Sequence, residues 1–209
     1  MIRGYYFITD SGLSIAGNLA DVEQAIRANV SVIQYRNKNA STRELYDEAL
    51  AMRRICRNTI FLINDRVDVA LAVGADGVHL GHSDLPCHIA RVLLGKDKII
   101  GLTVHSVKDA LAAQDMGANY IGAAPIFPTS TKTDAGESLG IEGLRKIREQ
   151  VSLPIVAIGG INLSNAQSVI RAGADSICAI SAVVTKPDVC AEIKKFQALF
   201  VRKPDIAEK

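Results

Sequence analysis

Short apolar runs rich in Val and Ile alternate along this chain with longer stretches whose apolar residues recur every three or four positions. The runs at 4–9, 32–36, 60–64, 77–80, 99–104, 120–124, 155–159 and 176–181 have the length and composition of strands, and Gly, Asn, Asp or Pro bounds most of them. They are apolar on both faces, as parallel strands are when helices cover them. Between them, 20–28 sets Val22 and Ile26 on one helical face, and 42–57 sets Leu45, Ala49, Met52 and Cys56 at spacings of three and four. Ser41 or Thr42, with Glu44 close behind, predicts the N-cap of the second helix. Ser164 or Asn165 would open the seventh helix and Ala172-Gly173 would end it. Asn29 suits the left-handed position after the first.

Eight strand–helix alternations predict an α/β fold with a parallel sheet, closed into a (β/α)8 TIM barrel. An open doubly wound sheet is the alternative, since the chain is shorter than the usual barrel. No linker or charge block divides it, so a single domain over 1–209 is expected, with 202–209 a flexible polar tail.

Composition adds mostly exclusions. Apolar residues make up 48% of the 209 and charged residues 22%, and the formal net charge is +2, which gives no reason to expect a nucleic-acid or membrane partner. No apolar stretch is long enough for a membrane span, and none at the start resembles a signal peptide. Four dispersed cysteines with no Cys-x-x-Cys pair argue against zinc or a redox dithiol, and make the cytoplasm the expected location.

In a parallel barrel the chemistry sits past the C-terminal ends of the strands. Gln34, Arg36 and Lys38 alternate after the second run, so on extended backbone they share a face and can form an anion clamp with a hydrogen-bonding arm. Asn64 and Asp65 follow the third run and Asp84 follows the fourth. Two aspartates on adjacent loops suit Mg²⁺, which takes one or two carboxylates and completes its shell with water and phosphate. Each aspartate alone could instead cap the helix that follows it. Thr103 and His105 alternate after the fifth run, whereas His79 reads as a hydrogen-bonded core residue. The sixth run opens a long loop stiffened by Pro125 and Pro128, in which Thr129, Thr131 and Lys132 offer hydroxyls and a point charge to phosphate. Gly159-Gly160 after the seventh run, and Ile180 and Ser181 at the end of the eighth, lie where this fold commonly binds phosphate. Two anion sites, one metal site and no evident nucleophile suggest a transfer between two phosphorylated small molecules with pyrophosphate leaving.

On these residues the sequence resembles the thiamine phosphate synthase family. The motifs are "QYRNK", "LINDRVDVAL", "GADGVHLGHSDLP", "PIFPTSTK" and "VAIGGIN", and the likeness runs from "YYFITD" to "AISAVV". The resemblance implies a (β/α)8 barrel that uses Mg²⁺ to couple 4-amino-2-methyl-5-hydroxymethylpyrimidine pyrophosphate with 4-methyl-5-hydroxyethylthiazole phosphate. Gln34, Arg36, Lys38 and Asn64 would hold the pyrimidine pyrophosphate, and Asp65 and Asp84 the metal. Thr129, Thr131 and Lys132 would serve the thiazole phosphate and the leaving pyrophosphate. Gly160, Ile180 and Ser181 would bind the thiazole phosphate largely through backbone amides. The implied chemistry is dissociative, with Arg36, Lys132 and Thr103 closest to it: pyrophosphate departs, and the thiazole nitrogen traps a pyrimidine methyl cation.

The chain departs from the family pattern at Thr103 (usually Ser), His82 (usually Gln), Ala124 and Ser176 (both usually Gly). The related thiazole tautomerases share the fold and a "VHS"-like segment, so an isomerase using His105 as acid–base is the alternative. A phosphate-ligand binder without turnover is a third reading. A homo-oligomer is left open.

Overall fold

The computed structural model describes residues 2–129, 131 and 136–201, and of Val201 only the backbone. The expected tail and Lys132 therefore lie outside the described residues. Eight parallel strands close in sequence order into a barrel: β1 (Gly4–Ile8), β2 (Val32–Tyr35), β3 (Ile60–Asn64), β4 (Gly77–Leu80), β5 (Ile99–Val104), β6 (Tyr120–Ala123), β7 (Ile155–Ile158) and β8 (Ser176–Cys178). The helices between and after them are α1 (Asn18–Arg27), α2 (Thr42–Ile55), α3 (Val67–Val73), α4 (Cys87–Leu94), α5 (Val107–Asp115), α6 (Gly140–Gln150), α7 (Ala166–Arg171), α8 (Ile180–Val184) and α9 (Val189–Val201). β1 pairs with β8 through Gly4 and Tyr5, which closes the barrel and removes both sheet edges.

Alternation along each strand sorts side chains into two cores. Outward residues such as Phe7, Ile33, Phe61, Ile63, Ile121 and Ile177 pack under the helices. Inward residues, among them Tyr6, Val32, Leu62, Tyr120, Val156 and Cys178, fill the barrel interior. The α2 start carries the expected device: Ser41 Oγ accepts from the Glu44 amide, and the Glu44 carboxylate accepts from the Ser41 amide at 2.7 Å. Asn29 adopts φ 57° after α1.

Two expectations change. The eighth strand stops at Cys178, and Ile180 and Ser181 open the short helix α8. Ile180 and Ser181 continue the short apolar run from Ile177 and so read as strand, but they belong to a helix whose Val183 and Val184 are buried in the outer core. Neither aspartate caps a helix. Arg66 and Pro86 occupy the N-cap positions of α3 and α4, without side-chain caps. Among the described residues, no helix is long and apolar enough to cross a membrane.

Candidate active site

A cavity of about 300 Å³ opens above the inner core, at the C-terminal ends of the strands. Its size falls in the range of small-molecule sites. Every described residue singled out from the sequence for binding or metal lines it: Gln34, Arg36, Lys38, Asn64, Asp65 and Asp84 from the β2–β4 side, Thr103 from β5, Thr129, Thr131 and Gly160 from the loops after β6 and β7, and Ile180 and Ser181 from the start of α8.

The clamp after β2 is held from behind by the end of β1. Thr9 Oγ1 accepts from the Arg36 amide at 2.8 Å and donates to the Arg36 carbonyl at 3.0 Å. Asp10, largely buried, takes Arg36 Nη1 at 2.9 Å. This ion pair fixes a guanidinium that would otherwise sample several rotamers at the cavity wall. Sequence reading did not single out Thr9 or Asp10. Their signal was available, since they follow the first strand as the other polar groups follow theirs.

Asp65 is pinned in an unusual conformation. Its φ is 62°, in the left-handed region that aspartate tolerates better than most residues. Its amide is tied to the His79 carbonyl at 2.8 Å, on the neighbouring strand. The outcome is a carboxylate directed toward the loop after β4, in contact with the Lys38 ammonium. Asp84 lies beside it, accepting the Gly81 amide at 2.7 Å. Burial, and then the adjacent Asp65, push the Asp84 carboxyl above the usual range, while the Gly81 amide and Lys38 pull it back. Two carboxylates crowded together and matched by one ammonium make a set of oxygen donors short of positive charge, which suits a hard dication. Among the described residues no three His, Cys, Asp or Glu side chains form a metal cage, so such an ion would complete its shell with water or bound phosphate.

The wall formed by the loops after β6 and β7 is one packed unit. The loop after β6 begins with a cis Ala124–Pro125 peptide and runs along the end of β7, with Ile126 and Phe127 amides on the Ile158 and Gly159 carbonyls at 2.9 and 3.0 Å. It returns through Leu139, whose amide meets the Pro125 carbonyl at 2.8 Å. Gly160 has φ 63°, and a Cβ there would stand 2.6 Å from the Pro128 carbonyl oxygen. Its glycine is therefore required by the neighbouring loop, in addition to any close approach by a ligand.

His105 lines the cavity too. Its Nδ1 lies 2.5 Å from the Ala124 carbonyl oxygen, so Nδ1 carries a proton, and in the neutral ring Nε2 is the acceptor. The His82 ring stacks on it with centroids 5.1 Å apart, and Asp109 accepts the His105 amide. His79, expected in the core, forms part of the cavity floor between Tyr120 and Thr103.

The chain is similar to known proteins over most of its length. The family model described as thiamine monophosphate synthase matches residues 5–183. The thiamine-phosphate synthase of Methanosarcina barkeri is 53% identical over 92% of this chain and 88% of its own length. That of Chloroflexus aurantiacus is 50% identical over 93% and 91%. The solved thiamine phosphate pyrophosphorylase of Pyrococcus furiosus superposes with a TM-score of 0.87 at 43% identity, covering 94% of this chain and 95% of its own. A 3-hexulose-6-phosphate synthase, at 17% identity and TM-score 0.68, shares the fold.

Proposed function

We propose, for a chain that belongs to the thiamine monophosphate synthase family, that it couples 4-amino-2-methyl-5-hydroxymethylpyrimidine pyrophosphate to 4-methyl-5-hydroxyethylthiazole phosphate, giving thiamine phosphate and pyrophosphate. One observation carries this reading beyond the family: a single cavity holds a cationic and carboxylate wall on one side and a hydroxyl- and amide-rich wall on the other. That division suits two different phosphorylated ligands meeting face to face.

Gln34, Arg36, Lys38 and Asn64 would bind the pyrimidine pyrophosphate. Asp65 and Asp84 would hold Mg²⁺, which when bound neutralises charge on the leaving pyrophosphate. Arg36, already oriented by Asp10, adds a fixed positive charge where negative charge develops. Lys38 answers Asp65 here and would turn toward phosphate once a cation satisfies that carboxylate. Lys132, outside the described residues, would add a further charge on the leaving group, and Thr103 a hydroxyl near the reacting carbon. Thr129, Thr131, Gly160, Ile180 and Ser181 would bind the thiazole phosphate. A dissociative displacement, in which the thiazole nitrogen supplies the new bond, asks for no enzyme nucleophile, and in this reading Thr103 Oγ1, 2.9 Å from His79 Nε2, serves as a hydrogen-bonding hydroxyl. All partners in this reading are small molecules, and we place the enzyme in the cytoplasm, where its four free thiols stay reduced.

A second reading, thiazole tautomerisation, draws on the acceptor nitrogen of His105 at the cavity wall. Purified protein mixed with both substrates, with and without Mg²⁺, separates the two. Mg²⁺-dependent release of thiamine phosphate and pyrophosphate supports the synthase. Isomerisation of a thiazole phosphate without coupling would overturn it.

A further inference from the structure

The cavity floor contains an unbroken file of hydrogen bonds that crosses the barrel from β2 to β5. Gln34 Nε2 donates to Tyr6 Oη at 2.8 Å, Tyr6 and Tyr120 hydroxyls meet at 2.7 Å, Tyr120 Oη lies 2.8 Å from His79 Nδ1, and His79 Nε2 lies 2.9 Å from Thr103 Oγ1. The barrel is shaped to accept it. A Cβ on Gly101 would stand 2.0 Å from the Tyr120 ring, and one on Gly122 would stand 2.9 Å from His79 Cε1. Two strands therefore lack side chains where the file needs room.

A tyrosine hydroxyl has one proton to give, and a neutral imidazole has one donor and one acceptor nitrogen. Tyr6 accepts from Gln34, so its own proton goes to Tyr120. Tyr120 then gives its proton to His79 Nδ1, His79 gives Nε2–H to Thr103, and the Thr103 proton is left for the cavity. If Tyr120 donated to Tyr6 instead, the buried Tyr6 proton would have no acceptor among the described residues. A buried donor left without an acceptor is disfavoured, because it has lost its water without gaining a partner. Turning the Gln34 amide end for end reverses every bond in the file. The two ends are therefore coupled: with Gln34 presenting its carbonyl oxygen to a ligand, Thr103 presents a donor. Burial holds both tyrosine hydroxyls protonated, since it pushes Tyr6 and Tyr120 far above their ordinary range.

We propose that Tyr6, Tyr120 and His79 are positioning residues, a polarised relay that fixes the Thr103 hydroxyl as a donor when Gln34 faces an amine-bearing ligand. The relay rests on the proposed function only for what the two ends contact. Its polarity can be tested without turnover, by ¹⁵N NMR of the histidine-labelled protein. His79 should show a pyridine-type Nδ1 and a pyrrole-type Nε2. Tyr6→Phe, which removes a hydroxyl that does not bond His79, should shift both signals toward an averaged position. Tyr120→Phe should do the same by removing the direct partner. The opposite tautomer, a doubly protonated ring, or an unchanged tautomer in folded Tyr6→Phe would each overturn the relay. In the coupling assay the two substitutions should lower kcat by similar factors, and the double variant by no more than either. Additive losses would show separate structural effects and overturn the unit. Absence of coupling in the unaltered protein would overturn the function while leaving the NMR result to stand or fall alone.

Discussion

Gly101 and Tyr120 are register partners on adjacent strands, and the phenol ring occupies the space where any other residue at 101 would carry its Cβ. The nearest atom in that overlap is the ring carbon Cζ at 2.0 Å, within a side chain that is fully buried. Gly101→Ala should therefore destabilise the fold by about 1–3 kcal/mol or more, as overpacking of a rigid core does. Combining it with Tyr120→Val should recover part of the loss, and with Tyr120→Phe none, because Phe keeps the clashing carbon. Denaturant midpoints of the three proteins check this.

Arg36 sits on the wall assigned to the pyrimidine pyrophosphate, after β2, whereas Gly160 follows β7, three strands away around the barrel. Arg36→Ala should weaken pyrimidine pyrophosphate binding roughly 10- to 100-fold, the worth of a charge-assisted bond at about 1.5–3 kcal/mol. Thiazole phosphate binding should change far less. Calorimetry with each ligand measures both, and equal losses would count against the clamp.

Asp65→Ala and Asp84→Ala should each remove Mg²⁺-dependent coupling while preserving the circular dichroism spectrum. The unaltered enzyme should lose activity in chelator and regain it when Mg²⁺ is restored. Full activity in both variants would sink the metal assignment.

His105 is tied to the Ala124 carbonyl through its protonated nitrogen and has no step to perform in a dissociative coupling. His105→Ala should keep activity within about tenfold of the unaltered enzyme, a change of some 1.4 kcal/mol in the barrier. Complete loss would point to acid–base work at that nitrogen.

Much of this was legible in the sequence because the fold imposes a rule. Once the apolar runs are read as barrel strands, whatever polar residue follows each one belongs to the mouth, and Gln34, Arg36, Asn64, Asp65 and Thr103 were found that way. The rule failed where composition and tertiary burial disagree. Ile180 and Ser181 looked like strand because they prolong the apolar run that begins at Ile177, yet the chain turns into a helix there. It also failed to separate cap from ligand at Asp65 and Asp84, because an aspartate before a helix serves either purpose and only backbone geometry decides. The tyrosines of the floor were invisible for a different reason. Tyr6 and Tyr120 satisfy every expectation of apolar core residues, and their hydroxyls acquire meaning only when strands distant in sequence bring them together.

The packing of Gly160 beneath Pro128 bears on how such a barrel can change over generations. Loops on this fold generally vary one at a time, since each is anchored to its own strand. Here a side chain added to one loop would collide with the backbone of the next, so the segments bearing Thr129 and Gly160 are bound to a shared history. A lineage drifting toward a bulkier or differently charged second substrate would find single steps at this corner closed, and would have to alter both loops together.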